Sequence, residues 1–86
     1  MTVQAEVSLY PLRTEDLTAP IAGFVRCLEA RGLQVDPGSM STRVSGPCEA
    51  LFAGLAEAFA AAADRHQVVL ALKISNACPP MPRQRT

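Results

Sequence analysis

The side chains with most to offer chemistry sit near the start of the chain. Glu6, Ser8 and Tyr10 alternate with Ala5, Val7 and Leu9. In an extended segment this spacing puts a carboxylate, a hydroxyl and a phenol on one face and the apolar residues on the other. Such a face suits the binding of a small polar molecule. Catalysis would need more, because a nucleophile, a base and an orienting group would have to converge, and no such set is present. The single histidine, His66, follows Arg65 at an expected helix end, where a solvated imidazole is the ordinary arrangement. Cys27, Cys48 and Cys78 are widely spaced and form no C-x-x-C pair, which argues against a zinc site, a thioredoxin motif and a disulfide scaffold alike. Cys27 shares a helical stripe with Phe24 and Leu28 and reads as a buried, inert thiol. A role for Cys78 stays open.

The elements that must position these groups follow from periodicity. Alternation over Met1 to Leu12 predicts a strand, with Val3, Ala5, Val7 and Leu9 inward and Pro11 ending it. Leu17, Ile21, Phe24, Val25 and Leu28 recur at helical spacing, with a start between Asp16 and Ala19 and Gly32 as the stop. Leu33 to Asp36 and Met40 to Ser45 alternate about Pro37-Gly38, which predicts a hairpin. Pro47 is placed to open a second helix, whose apolar stripe is Leu51, Phe52, Leu55, Phe59 and the alanines at 58, 62 and 63. From Gln67 to Ser75 the period returns to two, with Val68, Leu70, Leu72 and Ile74 inward. The predicted layout is one domain over residues 1–78 and a loose tail over 79–86.

Strand, helix, strand, strand, helix, strand is most compactly solved as a ferredoxin-like α+β sandwich, a four-stranded antiparallel sheet with both helices on one face. The other face is left open. It would carry Gln4, Glu6, Ser8, Tyr10, Gln34, Asp36, Ser41, Arg43, Ser45, Val69, Ala71, Lys73 and Ser75. One allowed register of the first and last strands sets Glu6 opposite Lys73 and Tyr10 opposite Val69, so that a carboxylate meets an ammonium. The plain alternative is a wet sheet face with no ligand.

Bulk properties narrow the function. Eight Lys plus Arg balance eight Asp plus Glu, and a polyanion binder of this size should be visibly basic. The longest apolar tract, Phe59 to Ala63, is too short to span a membrane, and Gln4 and Glu6 interrupt any signal peptide, so the expected location is the cytoplasm. With 86 residues the core is thin, which makes oligomerisation a natural way to add burial. Other uses of the fold fit poorly. Tyr10 is a lone aromatic where an RNA-binding sheet needs two or three. The segment Pro11 to Thr18 has no paired cysteines for copper and no glycine to wrap a phosphate.

Three segments carry a resemblance: Ala5-Glu6-Val7-Ser8-Leu9-Tyr10-Pro11-Leu12, Gly38-Ser39-Met40-Ser41-Thr42-Arg43-Val44-Ser45-Gly46, and Lys73-Ile74-Ser75-Asn76-Ala77-Cys78-Pro79. In order, and over nearly the whole chain, they resemble the YkoF-type thiamine-binding protein family. The resemblance implies a ferredoxin-like domain that binds thiamine or its hydroxymethylpyrimidine portion without catalysis. The namesake carries tandem domains; this sequence has one, so a second copy would have to complete the pairing.

On that reading the ligand-binding candidates are Glu6, Ser8, Tyr10, Ser41, Thr42, Lys73 and Asn76. Tyr10 would stack on a ring. Ser41, Thr42 and Asn76 would satisfy ring nitrogens and the exocyclic amine, while Glu6 would take the amine or the thiazolium charge and Lys73 would orient. Each has a structural alternative: Tyr10 at a dimer interface, Ser41 and Thr42 bonding turn backbone, Asn76 ending a strand. The expected partners are thiamine or a related pyrimidine, further copies in a homodimer or homotetramer, and a vitamin transport system. Thiamine would be a ligand and no cofactor or metal is expected. The competing function is a structural or regulatory module that pairs with protein through its open sheet.

Overall fold

A computed structural model describes residues 1–38 and 40–77. Cys78 and the tail expected over 79–86 lie outside the described residues. The elements are β1 (Thr2–Leu12), α1 (Thr18–Ala30), β2 (Gln34–Pro37), β3 (Thr42–Pro47), α2 (Cys48–Ala63) and β4 (Gln67–Ser75). The strands form one antiparallel sheet in the order β2-β3-β1-β4, with β3 and β1 central. This is the ferredoxin-like α+β sandwich that the element order predicts.

Alternation decides the faces. Val3, Ala5 and Val7 of β1 and Val44 of β3 are buried against Phe24 and Leu28 of α1 and Leu51, Leu55 and Ala58 of α2. Leu33, just before β2, completes the core. The β1–β4 register sets Glu6 opposite Lys73 and Tyr10 opposite Val69, as anticipated.

Four expectations need correction. Pro11 does not end β1, which pairs on through Leu12 to Gln67. Pairing of β1 with β3 stops at Val7–Thr42, so beyond it β1 has a neighbour on one side only among the described residues, where a proline without an N–H is tolerated. Met40 is not an inward strand residue; it lies in the turn and is 89% exposed, because the β2–β3 ladder closes at Pro37–Thr42. Pro47 precedes α2 instead of opening it, and the N–H of Cys48 donates to the Met1 carbonyl at 2.9 Å. Phe52 and Phe59 remain 51% and 38% exposed. One residue along a helix is a turn of about 100°, so the helix that seats Leu51, Leu55 and Ala58 on the sheet swings both rings off it.

Helix boundaries have local causes. The Asp16 carboxylate accepts from the N–H groups of Thr18 (3.1 Å) and Ala19 (3.4 Å) at the start of α1. Beyond its end, Gly32 takes φ +79°, a left-handed conformation open to glycine, and its N–H donates to Glu29 O at 2.9 Å. In the hairpin, the Gly38 N–H donates to Ser41 O at 2.9 Å, and a Cβ at Gly38 would stand 2.7 Å from that same oxygen. Gly38→Ala should therefore cost about 1–3 kcal/mol in urea unfolding, from backbone displacement at the turn. A change within experimental error would refute that packing argument.

Candidate functional site

The face of the sheet away from the helices is built in rows across the strands. One row is Gln34, Ser45, Gln4 and Ser75; the next is Asp36, Arg43, Glu6 and Lys73. Ser8 with Ala71, Tyr10 with Val69 and Leu12 with Gln67 follow. The first two rows are polar or charged. The last three are mainly apolar, and Tyr10 and Val69 are about half exposed.

The charged row alternates in sign across all four strands, but only half of it is paired. Arg43 Nη2 lies 2.7 Å from Asp36 Oδ2. Among the described residues, Glu6 and Lys73 form no ion pair despite being register partners, so the expected meeting of carboxylate and ammonium does not occur. Glu6 is left as an exposed anion at the border of the apolar half.

Beside that border the sheet has a notch. From Ser8 onward β1 lacks a β3 neighbour, and the hairpin turn ending at Ser41 lies next along that side. Glu6, Ser8, Ser41 and Lys73 thus share one neighbourhood on the open face. Tyr10 is two residues beyond Ser8, about 7 Å along the strand. At the far end of β1, the Arg13 guanidinium donates to the Gln67 side-chain carbonyl, and Arg13 leaves the strand with φ +55°.

Two other candidates lie elsewhere. Thr42 pairs with Val7 and so belongs to the helix side of the sheet, away from Glu6, Ser8 and Tyr10. Asn76 follows Ser75, whose register partner Gln4 is six residues from Tyr10, about 20 Å along the sheet. Its amide donates to Met1 Sδ at 3.7 Å, while strand termination falls to Ser75, whose Oγ accepts from Ala77 N at 2.9 Å. One small ligand on one copy cannot span Tyr10 and Asn76. Sequence reasoning placed Val69 and Ala71 on this face without assigning them to the site. Their parity with Tyr10 was the available signal, and the register makes them its apolar floor.

A second polar cluster joins the helices. Arg31 Nη2 lies 2.8 Å from Glu57 Oε2, and the Cys27 thiol donates to Glu57 Oε1 at 3.4 Å. Burial, then the hydrogen bond and charge of Glu57, push the thiol above its ordinary range, against the opposing Arg31 charge. The Arg31 hydrogen bond, helped by that of Cys27 and by the Arg31 charge, holds Glu57 below the usual carboxylate range. The stabilisation that Glu57 contributes is therefore complete above the ordinary carboxylate pKa and is lost as pH falls through the lowered one. Glu57→Gln should speed iodoacetamide alkylation of Cys27 at neutral pH several-fold, read peptide by peptide in a mass spectrometer. An unchanged or slower rate would show that Glu57 does not hold the thiol protonated.

Comparison with known proteins places this architecture. A hypothetical protein of Methanocaldococcus jannascii superposes with TM-score 0.82 at 23% identity, over 93% of this chain and 84% of its own. A protein of Bacillus cereus described as a DUF77 domain of unknown function gives 0.75 at 22%, over 87% and 75%. A candidate thiamine biosynthesis/salvage protein of Thermotoga maritima gives 0.75 at 22%, over 86% and 82%. At these identities the likeness is one of fold. No curated protein matches the chain. The family model described as "YKOF-related Family" matches residues 2–81, nearly the whole sequence, and so this chain belongs to the YKOF-related family.

Proposed function

We propose that this protein binds thiamine or its hydroxymethylpyrimidine portion on the open sheet face, without catalysing a reaction, and that it does so as an oligomer. The observation that carries the reading is Glu6: an anion with no ion-pair partner among the described residues, bordering an apolar surface that bears Tyr10. Thiamine combines a flat aminopyrimidine with a cationic thiazolium. The ring suits the apolar half and the cation suits Glu6, while Ser8 and Ser41 supply hydroxyls at the border. Lys73 opposes the thiazolium and favours placing it on the Ser8 side of Glu6.

A second copy has two tasks in this reading. It covers an open face from which a ligand would otherwise exchange freely with water, and it supplies the polar groups that one copy holds too far apart. Asn76 and Tyr10 then contribute to one pocket from different subunits. The role assigned is vitamin salvage, transport or sensing in the cytoplasm, with a vitamin transport system as partner and thiamine as ligand, not cofactor. Among the described residues no helix is long and apolar enough to cross a membrane. The family membership and the thiamine-related neighbour support the ligand class.

Isothermal titration with thiamine and with hydroxymethylpyrimidine, at protein concentrations where sedimentation shows the oligomer, tests the proposal. Heat that saturates is expected. A silent titration with both compounds, or a monomer at every concentration, overturns it. The exposed Tyr10 and Val69 favour one other reading, a pairing module with no ligand. In that case Tyr10→Ala disperses the oligomer and no pyrimidine binds the native protein.

A further inference from the structure

On the opposite side of the molecule, the start of α1 and the end of α2 part to leave a groove of about 400 Å³. That volume lies within the range of small-molecule sites. Its lining includes Pro20, Gly23, Arg26, Ala62, Arg65 and His66 and, among the described residues, no carboxylate. None of the three basic side chains has an ion pair or a side-chain hydrogen bond among the described residues. The nearest acids in sequence do not line the groove. Asp16 is engaged by the N–H groups of Thr18 and Ala19, and Glu29, one turn beyond Arg26, and Asp64 are exposed.

Gly23 supplies an independent observation. The other helical glycine, Gly54, is required by packing, since a Cβ there would stand 2.9 Å from Leu33 Cδ1 and 3.4 Å from Leu28 Cδ2. At Gly23 a Cβ would meet only Arg26 Nη2, at 3.9 Å. Glycine in a helix interior is disfavoured relative to alanine, and here no neighbour demands it. What its missing side chain does is widen the groove, while the Arg26 guanidinium lies at a distance where even a Cβ would make ordinary contact. At the other wall, the N–H groups of Arg65 (3.2 Å) and His66 (3.0 Å) both donate to Ala62 O. This bonding occupies one of the terminal carbonyls of α2 and fixes the backbone from which both basic side chains extend.

We infer that this groove is a second ligand site, for a small phosphate monoester with an apolar or aromatic body. Two guanidiniums, always charged, provide forked donors that match phosphate oxygens, and His66 provides a third donor. The apolar body lies over Gly23, between Pro20 and Ala62. The site is separate from the open sheet face and does not depend on thiamine binding there.

The probe is phenyl phosphate, followed by amide shifts in a ¹⁵N-labelled sample, with benzyl alcohol and inorganic phosphate as half-ligands. Saturable shifts at Gly23, Ala62 and His66 are expected, with Ser8 and Ala71 unmoved and each half-ligand weaker. Arg65→Ala, an exposed change, should weaken binding about tenfold. Gly23→Leu fills the groove with a better helix former, so the melting temperature should rise while binding is lost. The inference is overturned if phenyl phosphate moves no groove amide at about 10 mM, or if the Arg26→Ala/Arg65→Ala double variant binds it as the native protein does. A thiamine titration of the same sample reports on Ser8 and Ala71, so the failure of one site is read apart from the failure of the other.

Discussion

Glu6→Lys should lower the affinity for thiamine about a hundredfold, close to 2.7 kcal/mol of binding free energy. Two effects combine. The substitution removes the carboxylate that offsets the thiazolium, a charge-assisted contact worth about 1.5–3 kcal/mol when water is excluded. It also sets an ammonium opposite Lys73, so a cationic ligand would meet two like charges where it had met one of each sign. Asp36, the other carboxylate of the row, offers no relief, being held by Arg43. Glu6→Gln separates the two effects, since it keeps the shape and an acceptor oxygen but adds no cation, and a loss of about tenfold is expected. Because Glu6 is exposed, both variants should keep the native circular dichroism spectrum. Titration calorimetry at fixed ionic strength is the measurement. A lysine variant within about twofold of the native affinity would remove Glu6 from the site and the open face from the account of binding.

Leu33→Ala should destabilise the fold by about 3 kcal/mol, the middle of the range for truncating a buried leucine. The reason lies in how this side chain is seated. Leu33 is buried between β3 and α2, where two glycines make room for its two methyl groups. A Cβ at Gly46 would stand 2.6 Å from Leu33 Cδ2, and one at Gly54 would stand 2.9 Å from Cδ1. Alanine at position 33 leaves that crevice empty, and the neighbours cannot collapse into it because they are backbone. For a domain of this size the melting temperature should fall by roughly 12–24 °C. The same geometry predicts coupling. Gly54→Ala alone overpacks against Leu33, but in the Leu33→Ala background its methyl enters vacated space, so the double variant should be more stable than the sum of the single effects. Simple additivity, or a cost for Leu33→Ala below about 1 kcal/mol, would show that Leu33 is not the wedge the packing indicates.

The contrast between what could be read from the sequence and what could not follows from the range of the forces involved. Alternation in β1 and β4 identifies both strands and their faces, because a one-residue slip would carry Val7 and Leu9 into water. A two-residue slip keeps the faces, so the register was one of several allowed, and Leu72 of the edge strand β4, expected inward, is 39% exposed. Helical spacing identifies α1 and α2. Spacing alone does not say which part of an apolar stripe meets the sheet, and Phe52 and Phe59 lost that competition to Leu51, Leu55 and Ala58 because one helix can turn only one face to a flat layer.

The candidate site divides in the same way. Glu6, Ser8 and Tyr10 share a face by strand geometry alone; alternation puts Lys73 on the same face, and the strand pairing sets it opposite Glu6. Thr42 is excluded by the same geometry, since its pairing with Val7 puts it on the helix side.

Local composition and periodicity were therefore enough to decide the elements, their order and the two faces of the sheet, because each depends on whether a side chain meets water or the core. The notch beside Ser8, the lack of an ion pair for Glu6 among the described residues, the separation of Asn76 from Tyr10 and the groove between the helix ends emerge only when strands and helices lie beside one another. They depend on where neighbouring segments stop, and no residue's type or spacing encodes the end of a partner remote in sequence.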